Sequence, residues 1–280
     1  MLRYFTLPAL LLALANSLPA QQPFYTDDPA VTEPGKWHFE FFNEFDALQH
    51  PQFPNLRQNT ASYKLNYGLP HDLEFDIDAP YLAIFRALGS SPVSSTGIGD
   101  TNLGLKWNFH KEAQTSRLPA MSVSLYFEFP TGDSNRQLGS GLTDYWLNFI
   151  GQKHLSEKTR LTGNAGILFA GNTSVGVLGI QSNRGRVYTG GLSILRELNA
   201  KWTLGAELFG GFTSSLDLGK SQLQILTGGK YTIRNGLTLD FGLLGGRYIA
   251  SPRVGGQIGF SLDFPAAFRG PAPVTLSGTR

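Results

Sequence analysis

Thr101-Asn102-Leu103-Gly104-Leu105-Lys106-Trp107-Asn108-Phe109 alternates without a break. Thr101, Leu103, Leu105, Trp107 and Phe109 fall on one face and Asn102, Gly104, Lys106 and Asn108 on the other, a period of two and not 3.6. Met121 to Phe129 repeats the pattern, with Met121, Val123, Leu125, Phe127 and Phe129 facing one way and Ser122, Ser124, Tyr126 and Glu128 the other. A turn within His110 to Arg117 makes the two a hairpin.

The same template extends outward along the chain. Apolar faces recur at Trp37–Phe45, Ala61–Tyr67, Leu73–Tyr81, Tyr145–Phe149, Leu161–Phe169, Tyr188–Ile194, Trp202–Leu208, Leu223–Ile233, Leu237–Leu243 and Ile258–Phe264, which brings the expected strands to twelve. Connections alternate in kind. Those near 69–71, 110–117, 155–159, 197–201 and 234–236 are tight, the last carrying an Asn-Gly turn signal. Those at 46–57, 86–97, 130–142, 170–186, 213–221 and 246–253 are longer and rich in Gly, Ser, Pro and Asn.

Composition sharpens the class. Among 280 residues stand 20 Phe, 10 Tyr, 4 Trp and 33 Gly, with only 16% charged residues. That surface is too oily for water, yet no stretch after the leader is a solid apolar run long enough for a spanning helix. The spanning structure left is a closed barrel, whose strands alternate in polarity. The expectation is therefore all-β: a single antiparallel transmembrane β-barrel of about twelve strands, both termini on the periplasmic side, acting as a passive pore. Aromatic residues near strand ends, such as Trp37, Tyr81, Phe109, Phe129, Trp202 and Phe264, suit the headgroup level of a bilayer.

Outside the barrel, 1–20 reads as a signal peptide, with Arg3, an apolar stretch from Leu7 to Ala15 and a small residue at Ala20 before the expected cut. Residues 21–35 form a lead-in that either plugs the lumen or lies free in the periplasm, 36–264 form the barrel, and 265–280 a tail. Localisation in a bacterial outer membrane follows, with membrane lipid and a small solute as partners. The absence of Cys removes disulfides and thiolate chemistry. A net charge of +2 with both signs scattered argues against a nucleic-acid surface. No cofactor is expected: Gly97-Ile98-Gly99 leads into a strand, not the helix a dinucleotide site needs. Asp27-Asp28 and Asp133 lack the surrounding oxygen donors of a calcium loop and read as solvated turns.

In a barrel the lumen decides function. Alternation points His38, Glu40, Glu44, Lys64, Glu74, Asp76 and Asp78 inward, with Lys106, Glu128 and Lys230. This acidic wall either favours cations or has its carboxylates paired across the lumen with Lys106 and Lys230, the plainer reading. Phe42, Tyr126, Trp146, Leu168 and Phe209 also point inward, either as an apolar path for a solute or as filling of a narrow lumen.

The segments Gly97-Ile98-Gly99-Asp100-Thr101-Asn102-Leu103-Gly104-Leu105-Lys106 and Phe127-Glu128-Phe129-Pro130-Thr131-Gly132-Asp133 resemble the outer-membrane barrel family named for the meta-pathway of phenol degradation. Thr26-Asp27-Asp28-Pro29 and Glu33-Pro34-Gly35 are similar to the entry sequence of its members. The resemblance implies a channel for passive uptake of small, hydrophobic or aromatic solutes. Barrels of this class usually end on an aromatic read by the assembly machinery; here Phe264 ends the last strand and a tail follows.

Three other classes stay in view. One is a structural or adhesive barrel without transport. Another is a membrane lipid hydrolase, for which no serine is placed beside His38, His50, His71, His110 or His154. The third is a soluble lipocalin-like barrel with its faces reversed, apolar inside.

Overall fold

The computed structural model describes residues 23–113, 117–170, 185–213 and 221–265. The expected signal peptide and its cleavage site, most of the connections 170–186 and 213–221, and the tail beyond 265 lie outside the described residues.

Thirteen strands are present among the described residues: β1 Lys36–Ala47, β2 Asn55–Leu69, β3 Leu73–Arg86, β4 Ser94–Ile98, β5 Thr101–His110, β6 Ala120–Phe129, β7 Asp144–Ser156, β8 Thr159–Ala170, β9 Gly185–Glu197, β10 Trp202–Thr213, β11 Gln222–Arg234, β12 Leu237–Arg247 and β13 Val254–Pro265. Every neighbouring pair is antiparallel. β1 closes on β13 from Lys36↔Pro265 to Ala47↔Val254, so the sheet has no long open edge. The start of β1 and the end of β13 therefore lie at the same end, which also carries the tight turns.

The wall has the twelve positions the sequence indicates, and the structure corrects the 86–97 connection. The 86–97 connection is not all loop, because β4 pairs with the far half of β3 (Tyr81↔Ile98 to Phe85↔Ser94) while β5 pairs with the near half (Leu73↔Trp107 to Asp78↔Asn102). β4 and β5 are two pieces of one wall position broken at Gly99-Asp100. The closed barrel has twelve positions around it.

Strands also run further toward the long-loop end than alternation indicates. β2 begins at Asn55 and β3 continues to Arg86. A tilted strand crosses the hydrocarbon in about 9–11 residues; the remainder overhangs into water, where the outer face is no longer selected to be apolar.

Burial settles which face is inside. Leu105, Trp107, Leu147, Phe149, Leu192, Leu208, Ile225, Leu243 and Ile258 are exposed, whereas Glu40, Glu44, Glu74, Asp76, Lys106, Ser122, Asn148, Ser193, Gln224 and Lys230 are buried. Polar side chains inside and apolar ones outside reverse a lipocalin, so that alternative fails. Outward rings pair near both ends and also midway, where Phe41 meets Tyr63 at 5.1 Å and Phe260 at 5.6 Å. Trp37 packs on Tyr67 at 4.5 Å and Trp202 on Tyr231 at 4.7 Å at one end, and Phe127 meets Tyr145 edge-on at 5.4 Å toward the other.

The strand break has a partner. Asp100 turns into the wall gap and accepts hydrogen bonds from the Gly132 N–H at 2.9 Å and the Ser140 N–H at 2.5 Å. Thr131 Oγ1 donates to the Gly99 carbonyl at 2.8 Å. The β6–β7 connection is thereby folded inward, and Leu138 packs against the inward side chains of Leu82 and Ile84. The two sequence motifs that carry the family resemblance thus meet in space.

Candidate functional site: the barrel lumen

The lumen is crossed by the chain's own first described residues. At the tight-turn end, Gly35 donates its N–H to the Gly68 carbonyl at 2.8 Å, which anchors the segment before β1 turns into the wall. From there it runs inward. Thr32 donates from N–H and Oγ1 to Glu74, both at 2.6 Å. The Pro29 carbonyl accepts from Asn108 Nδ2 and Ser122 Oγ, both at 2.5 Å. The N–H groups of Tyr25 and Thr26 both donate to the Glu207 carboxylate, and the Tyr25 hydroxyl donates to Glu44. Phe24 is buried against Leu195, Leu226 and Leu244, and Gln257 donates to the Pro23 carbonyl.

This pattern explains why carboxylates, amides and large apolar residues share the inward face. A backbone segment placed inside a barrel brings N–H and C=O groups that must be satisfied, and here inward carboxylates and amides satisfy them. Inward Leu195, Leu226 and Leu244 are a seat for Phe24, whose burial contributes roughly 2 kcal/mol. Phe209 lies under Tyr25 with ring centroids 5.8 Å apart.

Every sequence-predicted lumen residue lies on the inward face, most of them in three groups. In the first, Lys106 Nζ is 3.0 Å from Glu74 and 3.4 Å from Asp27, and the Tyr126 hydroxyl donates to Asp76 at 2.9 Å. Lys64 stands in register between Glu40 and Asp78. In the second, His38 bonds Asp263 at 2.5 Å and Glu40 at 3.1 Å, and Lys230 stands opposite Asp240. In the third, Glu44 and Glu207 hold the N-terminal segment. Trp146 donates to Thr189 at 3.0 Å and its ring lies 6.1 Å from Tyr126. Glu128 stands in register between Asn102 and Asp144, away from the Lys106 group. Phe42 lies over Gly259, where an added side chain would collide with it.

The wall's acids and bases thus pair between neighbouring strands and not across the lumen, and only in part. Glu74 has its cation in Lys106, but the interior keeps more acids than bases. One small expectation fails: Asp27 is not in a solvated turn but inside the barrel against Lys106. Asp133 is exposed and caps a short 3-10 turn through the Asn135 N–H at 3.0 Å. Asp27 is a local sequence whose surroundings come from a distant strand.

Sequence reasoning missed the docking residues Phe24, Tyr25, Thr26, Glu207 and Asp100. A usable signal was present in the glycines, because a glycine inside a strand often marks a close approach. A Cβ at Gly104 would run into the Tyr126 ring, and one at Gly191 would meet Thr26 and Phe209.

Of the five histidines, His38 and three more are held by other partners. His50 accepts from Arg253 at 2.8 Å, His110 bonds the Pro119 carbonyl at 2.8 Å, and His154 bonds Glu112 at 2.8 Å. Partial burial raises the Glu112 carboxyl, but hydrogen bonds from Lys153 and His154 outweigh it and hold the group below the usual carboxylate range.

Solved structures share this architecture. An outer-membrane channel from Pseudomonas putida F1 aligns with a TM-score of 0.64 at 14% identity, covering 85% of this chain and 98% of that one. The NanC porin aligns at 0.54 and 8% identity, covering 80% and 98%, and the KdgM porin at 0.53 and 8%, covering 81% and 99%. These likenesses establish the fold of outer-membrane channels. No curated protein matches the sequence. A family model described as "Putative MetA-pathway of phenol degradation" matches residues 52–264, from the end of the β1–β2 connection to the last residue but one of β13. With its two motifs joined at Asp100 and its barrel spanned by that match, the chain belongs to the family of that description.

Proposed function

We propose that the protein is a narrow, selective outer-membrane channel for small solutes, with its long loops outside the cell and its tight turns and both chain termini in the periplasm. The observation that carries this reading is the inside-out wall: an apolar, lipid-facing exterior around a mostly polar interior. The segment 23–34 reduces that interior to a side passage, so the solutes are small. The Tyr126–Trp146 pair on the lumen wall suits flat aromatic solutes, in keeping with the family description. A signal peptide cut after Ala20 and insertion through the strand ending at Phe264 complete the proposal. Solute uptake by proteoliposomes tests it: swelling in small sugars or phenol supports the channel, and silence toward ions and solutes alike would leave a structural barrel.

The excess of inward carboxylates predicts cation preference. Glu74→Gln, Asp76→Asn and Asp78→Asn are isosteres that keep an acceptor for Thr32 and Tyr126 while removing the charge. The combined variant is expected to move the reversal potential in a salt gradient to near zero. An unchanged reversal potential would refute the acidic wall as the selector.

A further inference from the structure

On the outward face, at the long-loop end of β12, β13, β1, β2 and β3, lies a cavity of about 570 Å³. Phe45, Phe85, Leu243 and Val254 form its apolar walls and are exposed, Leu243 by 70%. Ala47 and Gly256 keep the floor low, in a wall whose other outward positions are mostly large. The groove is thus a depression in a lipid-facing surface at the level where chains meet headgroups.

Its rim is cationic. Arg57 is exposed and stands in register between Ala47 and Phe85, hence on the outward face. Among the described residues it has no hydrogen-bond or ion-pair partner. Arg253 does not line the groove itself but is exposed beside it, next in sequence to the lining residue Val254, its N–H bonded to the Ala47 carbonyl at 2.8 Å. One strand lies between the two arginines, so their backbones are about 10 Å apart. Arg253 donates to His50 Nε2, which requires that nitrogen to be unprotonated and leaves the remaining guanidinium donors available. The nearest acid of the groove, Asp46, is buried on the lumen side of the wall.

From these features we infer a binding site for a phosphorylated glycolipid of the lipid A type, with an acyl chain lying in the groove and a headgroup phosphate held by Arg57 and Arg253. The charge of the rim selects an anionic headgroup, and the guanidinium fork matches phosphate oxygens bidentately. The floor residues leave the acyl chain a place that an ordinary barrel wall lacks.

The test uses the full chain purified in non-ionic detergent, with native mass spectrometry as the readout and lipid A, dephosphorylated lipid A and phosphatidylcholine as probes. Wild-type protein is expected to retain lipid A, and to hold the other two probes roughly tenfold more weakly. Arg57→Gln with Arg253→Gln should lose that preference. Gly256→Leu should lose binding by filling the groove. A Cβ at Gly256 meets nothing nearer than 3.5 Å, so this variant is compatible with the fold. Arg247→Gln, an exposed rim change at the end of β12 outside the groove, should retain lipid A. Heat-modifiable migration confirms folding of each. No lipid A retained by the wild type, equal retention of the dephosphorylated lipid, or equal retention by all variants would overturn the site. Channel conductance is independent of each result.

Discussion

Deleting residues 23–31 is expected to raise single-channel conductance several-fold while leaving a folded, heat-modifiable barrel. The twelve-position wall is held by its own ladders from Lys36↔Pro265 onward, and none of these pairs involves the deleted residues. What the deletion removes is a backbone lying across the lumen, with the buried side chains of Phe24 and Thr26. Water can take over the hydrogen bonds to Glu207, Glu44, Asn108 and Ser122. Leu195, Leu226 and Leu244 lose their cover, at a cost of roughly 2 kcal/mol, which a barrel of this size tolerates. Phe24→Ala is a gentler version, expected to give brief openings to the larger conductance. Equal conductance in the deletion and the wild type would show that solute passage does not run beside this segment.

The second large effect belongs to Asp100. Its carboxylate accepts two backbone N–H groups of the β6–β7 connection, at 2.9 and 2.5 Å, from a position that is itself buried. Hydrogen bonds to a charged acceptor contribute about 1.5–3 kcal/mol each, and their N–H groups are poorly hydrated once orphaned. Asp100→Ala is therefore expected to cost roughly 2–4 kcal/mol in urea unfolding and to release the loop 130–142 from Leu82 and Ile84. Protease should then cut within that loop in the variant and not in the wild type. Asp133→Ala, which removes only an exposed capping bond, should change neither. Unaltered stability and protection in the Asp100 variant would show that the loop is held by Leu138 packing alone.

Much of this was readable along the chain, and the reason is geometric. Side chains on a strand alternate whatever the neighbours are, so Leu103, Leu105 and Trp107 against Gly104, Lys106 and Asn108 declare a two-faced strand locally. In a membrane the apolar face must be the outer one, which placed His38, Glu74, Asp76 and Lys230 inside before any contact was known. The Asn235-Gly236 turn was equally local: Gly236 has φ 75° at the tip of the β11–β12 hairpin, a conformation that costs a glycine little.

Alternation could not place the strand ends. On β2 the outward positions Arg57 and Asn59 are polar, so the apolar face that produces the signal stops at Ala61 although pairing with β3 continues to Asn55. Nor could it show β4, a five-residue strand of small residues whose pairing with β3 depends on the break at Asp100. The lumen charges were found by parity, but their partners were not: Lys106 finds Glu74 on the neighbouring strand and Asp27 on a segment 79 residues earlier.

By itself, the sequence determined a barrel of about twelve strands with an acidic interior, because period two and the bilayer's intolerance of unpaired backbone leave no other solution. Only the tertiary structure decided that the interior is occupied by the chain's own residues 23–34 and narrowed by the loop around Leu138. Those arrangements rest on single side chains: Glu207 and Asp100 meet backbone N–H groups, and Glu44 the Tyr25 hydroxyl, far away in sequence. No local pattern encodes such a meeting.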